Sequence, residues 1–130
     1  MLPAEPATPR RWKGNDTAIR RSGEIVVKND RQWIQFWSEH RPHEPAPEVD
    51  FTKDMVVGVF AGTRPADPFA VEIVGTRGVG QELIVDFRER TPPTGTVAIN
   101  VSVYPYDIQA VPRSSMKVKF NKLDPLEAGR

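Results

Sequence analysis

Met55-Val56-Val57-Gly58-Val59-Phe60 is apolar at every position. A strand wetted on one face alternates apolar and polar residues, so this unbroken run predicts a central strand buried on both faces. A helix is placed to cover one of them. Asn29 is set to cap it, with Gln32 three residues later in the spacing that lets each side chain satisfy the other's backbone N–H. Trp33, Phe36, Trp37 and His40 then recur at helical spacing, leaving Arg31, Gln35, Ser38 and Glu39 for water. Pro42, Pro45 and Pro47 end the helix after about ten residues. Gly58 leaves room for a large ring against the sheet, and Trp37 is the ring expected there.

The other segments read as strands. Ile25-Val26-Val27 is a β-branched run. Phe69, Val71 and Ile73 alternate with Ala70, Glu72 and Val74, and Leu83, Val85 and Phe87 with Ile84, Asp86 and Arg88, and Gly78-Val79-Gly80 between them marks a hairpin. A strand is expected from Val97 to Val103, after the turn Thr91-Pro92-Pro93-Thr94-Gly95. The last strand sets Met116, Val118 and Phe120 on one face and Lys117 and Lys119 on the other, as suits an edge. Pro3, Pro6 and Pro9 make residues 1–21 an extended or disordered arm, and residues 122–130 carry no pattern and read as a loose tail. Residues 22–121 are then a strand-rich α+β domain. The expected form is a curved antiparallel sheet or partly closed barrel of about six strands, with one helix packed on it.

Composition removes several functions. With 130 residues there is room for one domain of ordinary size, which needs no disulfide or metal to hold together. No cysteine is present, which excludes thiol catalysis and thiolate metal sites. A net charge of +1 gives no global attraction to nucleic acid or membrane. No apolar run approaches the ~20 residues of a membrane span, and the first residues show no signal-peptide pattern.

Four stretches carry a resemblance. They are Val26 to Trp33 continuing through Phe36-Trp37-Ser38-Glu39-His40; Val49 to Pro65, with its Asp50-Phe51 and Gly62-Thr63-Arg64-Pro65; Val71-Glu72-Ile73; and Tyr104-Pro105-Tyr106 with Val111-Pro112. Over residues 22–121 the chain resembles the C-terminal domain of the bacterial protease-complex accessory subunit PrcB. The resemblance implies an exported or cell-envelope domain that helps assemble or stabilise a partner protein. After Pro65 the chain departs from the pattern: Ala66-Asp67-Pro68-Phe69 stands where the family has a glycine-rich turn ending in tyrosine.

Each candidate site has a structural alternative. His40 and His43, beside Glu39 and Glu44, are ligand types for zinc, but Pro42 breaks the helix between them. The alternative sets a partly charged His40 at the negative end of the helix dipole. Ser114 and Ser115 lack a glycine elbow, and Asp86 and Glu89 are the kind of carboxylate pair that charged strands produce routinely. Arg10, Arg11, Lys13, Arg20 and Arg21 around Trp12 could meet phosphates, or could belong to a solvated linker. Tyr104 and Tyr106 flank a proline, and tyrosines on a rigid turn suit an interface; alternatively both rings cover the end of the core. Arg64 likewise suits an interface or a loop held to backbone carbonyls.

The reading that follows is a non-enzymatic domain that binds or stabilises another protein through Arg64, Phe69, Tyr104 and Tyr106. It has no cofactor, metal or nucleic-acid partner. The Lys117–Lys119 edge offers a second route by strand addition. A small-ligand module with a pocket between helix and strands is the alternative, and an enzyme or metal-binding protein comes third.

Overall fold

A computed structural model describes residues 10–95 and 99–127. Its elements run β1 (Arg11–Gly14), β2 (Ser22–Val27), α1 (Asp30–His40), β3 (Asp54–Ala61), β4 (Ala70–Val79), β5 (Glu82–Thr91), β6 (Tyr106–Pro112), β7 (Lys117–Lys122) and β8 (Leu126–Glu127). They form two sheets, one ordered β1-β6-β3-β2 and the other β4-β5-β7, with β8 also on β5. The first sheet is antiparallel throughout. In the second, β4 and β5 form an antiparallel hairpin while β7 and β8 run parallel to β5. Only the second sheet is therefore mixed, and the two are not closed into a barrel, which corrects the expectation of a single curved antiparallel sheet or partly closed barrel.

The apolar run of β3 explains the layering. Val56 and Phe60 join Trp33, Phe36, Trp37 and Ile108 in a core beneath α1. Met55, Val57, Val59 and Ala61 join Val71, Ile73, Val85 and Val111 in a second core between the sheets. Alternate residues of one strand thus serve two cores, which is why no polar position interrupts it.

The helix starts where expected: the Asn29 side chain accepts the Gln32 N–H at 2.8 Å. Gln32 reaches back to the N–H of Lys28, at 3.1 Å, and not to that of Asn29. Gly58 makes room for a different residue from the one expected. A Cβ there would stand 2.9 Å from Ile25 Cγ1, so the glycine admits the side chain of its partner on β2 and not Trp37. Trp37 packs instead against Trp12, Trp33 and His40.

Three stretches behave differently from their sequence pattern. Residues 10–21, expected within an arm, are built into the fold: β1 pairs with β6, and Thr17 and Ile19 are buried. Residues 1–9 lie outside the described residues. The strand expected at 97–103 falls partly outside them too, at 97 and 98. Its remainder makes only isolated bridges, Asp67 with Ile99 and Arg64 with Val103. Ile99 and Val101 are exposed because no sheet face is there to receive them. The strand at this point of the chain is β6, which the sequence reading did not assign. In the tail, Leu126–Glu127 pairs with Arg90–Thr91, so those two residues are not loose.

Candidate functional site

One long side of the sandwich is tied shut. Asp107 on β6 is 0% exposed, yet its carboxylate is satisfied from two sides. Arg11 on β1 donates Nε to Oδ1 at 3.0 Å and Nη2 to Oδ2, and Nη2 also reaches the carbonyl of Ile73 on β4. The Ile73 N–H donates to Oδ2 at 2.7 Å. Ile73 stands beside the shift of the β4–β5 register, on a strand at the edge of its sheet. A buried carboxylate left unpaired is costly, and this one joins the two sheets.

The opposite side is open. No strand pairing joins β2 to β7, and a cleft of about 360 Å³ opens there between the sheets. Phe60, Ala61, Val71 and Phe87 line its apolar part, and Glu24, Arg64, Glu89 and Lys122 its polar part. The loop after β3 positions Arg64. Gly62 turns the chain at φ +79°, a left-handed value that favours glycine. The backbone groups of Arg64 and Val103 then exchange hydrogen bonds, both of 2.8 Å. The guanidinium grips Glu89 through Nε at 2.7 Å and Nη2 at 3.0 Å, while Nη1 donates to the Thr63 carbonyl at 3.0 Å. Lys122 adds a third bond to Glu89 at 3.1 Å. Arg64 chiefly, with Lys122, holds the Glu89 carboxyl below its usual range. The cleft therefore carries fixed charges of both signs.

The four residues singled out from sequence do not gather here. Only Arg64 lines the cleft. Phe69 is half-buried in the loop that contains the cis Asp67–Pro68 peptide. Tyr104 is also half-buried and lies under Arg20, whose Cζ is 3.6 Å from the ring centroid. Tyr106 is a correction. It is 6% exposed, belongs to the core beneath α1, and its hydroxyl accepts from Arg41 at 3.0 Å. Its partner in register is Gly14, where a Cβ would come within 3.1 Å of the ring, so the fold makes space for Tyr106 inside. The cleft residues missed were Glu24, Phe87 and Lys122. Their signal was weak: Phe87 reads as an ordinary member of an alternating strand, Glu24 only precedes a short β-branched run, and Lys122 falls in the stretch read as a loose tail.

The other candidates also resolve into structure. His40 is 0% exposed and packs against Phe36, Trp37 and Tyr106, with Nδ1 2.7 Å from the Thr17 hydroxyl. Thr17 Oγ1 also accepts from the Ile19 N–H at 3.1 Å, and Nε2 of the ring has no hydrogen-bond partner among the described residues. Burial, reinforced by Arg41 and opposed by Asp16, lowers His40 to about 4. The partly charged helix-end imidazole is thus corrected: desolvation outweighs the dipole. His43 is exposed, and among the described residues no three His, Asp or Glu side chains gather as metal ligands. Asp86 is bound by Arg77 and Asn121 and held low, the reverse of a proton donor. The basic residues around Trp12 are engaged as well: Arg10 with Asp54, Lys13 with Glu72, Arg21 with Glu39, and Trp12 against Trp33.

Comparison with known proteins gives one match. Residues 55–112 match the family model of the PrcB C-terminal domain, which bears out the resemblance over that stretch. No curated protein and no solved structure matches the chain.

Proposed function

We propose, from that match and the open cleft, that this chain is a non-enzymatic accessory domain that binds a partner protein, a component of a protease complex in the cell envelope. The observation that carries the reading is the contrast between the two sides of the sandwich: one held by Asp107, the other a cleft with an apolar floor and a rim of both charge signs. Such a cleft suits a protein side chain with a polar end, because apolar area supplies affinity and fixed charges supply orientation. Arg64 acts there through Glu89, keeping the rim in place, while Lys122, with one ammonium donor on Glu89, keeps its other donors for the partner.

The test is site-specific photo-crosslinking in the source cells. A photoreactive residue at Lys122 or Phe87 should give one defined adduct that contains a protease-complex subunit. The same residue at Ile34, exposed on α1, should give none. Equal adducts from all three positions, or none from the cleft, would remove this surface from the reading.

A further inference from the structure

Among the described residues the two sheets end on four strands of four residues or more, β1, β2, β4 and β7, with the two-residue β8 also on β5. An edge strand offers unpaired N–H and C=O groups to any passing strand, and soluble proteins blunt it with lysine, proline, bulges or a cover. Three of the four edges here are blunted. β1 carries Arg11 and Lys13, β7 carries Lys117, Lys119 and Lys122, and β4 is broken in register after Ile73, whose N–H is already bound to Asp107. β2 has no such protection. It reads Ser-Gly-Glu-Ile-Val-Val and keeps an unbroken register against β3. Among the described residues, no group beyond β3 hydrogen-bonds the backbone of residues 22–27. A groove of about 350 Å³ follows this edge, lined by Ile25, Val27, Gln32, Gln35, Phe36 and Glu39 among others.

We propose that β2 pairs antiparallel with β2 of a second copy of this chain, so that the two β1-β6-β3-β2 sheets become one continuous sheet. The edge's own sequence selects the occupant. A two-fold axis through Val26 sets Val26 opposite Val26, Ile25 opposite Val27, and Glu24 opposite Lys28 on both sides of the axis. Ile25 and Val27 face the α1 core, whereas Val26 faces the core between the sheets. Facing residues in this register therefore share a side of the joined sheet, as antiparallel pairing requires. Every pair is apolar with apolar or acid with base. Moving the axis two residues, to Glu24, would set the glutamates against each other, which is destabilising. The Lys28 ammonium makes a single 3.4 Å contact, to the Ser114 carbonyl, and retains donors for Glu24. Such an interface is isologous and closes as a dimer, leaving no further edge for growth.

This goes beyond the accessory-domain reading, and its test is independent of any other protein. Sedimentation velocity over a concentration series of the full chain should show a monomer–dimer equilibrium. Hydrogen exchange at residues 24–27 should slow as concentration rises. Glu24→Lys and Lys28→Glu should each weaken dimerisation by roughly tenfold, because two symmetry-related pairs turn repulsive. The double variant E24K/K28E should regain the dimer, and far-UV circular dichroism verifies that all three variants fold. A chain that stays monomeric at every concentration overturns the proposal, as does a dimer indifferent to both single reversals or one the double variant fails to restore. A monomer whose β2 amides become protected only when a different protein is added also overturns it, assigning the edge to that protein.

Discussion

Acid should unfold this domain more readily than its carboxylates alone require, and His40 is the reason. Its ring is 0% exposed, with Phe36, Trp37 and Tyr106 around it, and its Nδ1 shares a 2.7 Å hydrogen bond with the Thr17 hydroxyl. Burial, then Arg41, lowers it from 6.5 to about 4 in the folded chain, against a weaker pull from Asp16. Between those pH values the unfolded chain binds a proton that the folded chain refuses. Stability therefore rises with pH across this window and falls as pH drops through it. The advantage of keeping His40 neutral is complete above pH 6.5 and gone once the folded ring titrates near 4. Its size is at most about 3 kcal/mol, a large share of the ~5–15 kcal/mol that holds a typical domain together. The assay is guanidinium unfolding at pH steps from neutral to about 4, on the wild type and on His40→Gln, which keeps a hydrogen-bonding group for Thr17 in either direction and cannot titrate there. Carboxylates act on both proteins, so the difference between the two curves isolates the imidazole. The wild type should lose up to about 3 kcal/mol more than the variant across the window. Parallel curves would refute the reasoning and mean that His40 reaches water or a second partner.

Three further outcomes follow from the geometry. Asp107→Ala should cost about 3 kcal/mol in chemical unfolding, mostly from the unpaired Ile73 N–H and the lost inter-sheet bonds, since Arg11 can turn partly to water; a loss below about 1 kcal/mol would show that the clamp adds nothing beyond an ordinary hydrogen bond. Tyr106→Ala should lower stability by about 3–5 kcal/mol, as removal of a buried aromatic ring does, and a folded variant of wild-type stability would return the ring to the surface. Asn29→Ala should cost about 1 kcal/mol through the lost helix cap, read as a shifted unfolding midpoint at unchanged denaturant slope.

Local patterns were legible where one residue's surroundings lie close in sequence. The cap at Asn29, the apolar face of α1 and the β4–β5 hairpin depend on neighbours a few positions away, and they stand where the spacing put them. β3 was legible for a different reason: only two covering layers allow an unbroken apolar run. What escaped depends on distant partners. Arg11, Lys13 and Arg21 resemble a solvated linker until Asp107, Glu72 and Glu39 are brought beside them by the fold. Tyr106-Asp107-Ile108 was hard to read as a strand, because it opens after a proline and buries a carboxylate whose counter-charge is 96 residues away. Ile99 and Val101 carried a β-branched alternation with no sheet to receive it, so propensity yielded to tertiary context. The cleft was beyond local pattern altogether, since its lining comes from β2, β3, β4, β5, β7 and one loop.

The placing of charge within the sandwich bears on function more than any single residue does. Burying Asp107 serves stability poorly, since a well-packed apolar side chain in such a place is commonly as good or better. What the carboxylate does supply is a fixed relation between β6, β1 and the bulge of β4, which apolar packing alone sets less strictly. With that side held, the spacing of the sheets is set from one edge, and the mouth between β2 and β7 stays open with no strand to close it. At that mouth Arg64, Glu89 and Lys122 form a chain of partly buried charge-assisted bonds that keep their directions. A domain built only to be stable has no need of either arrangement. Both suit the proposed reading, in which the domain offers another chain a cleft of fixed width with charges in fixed places.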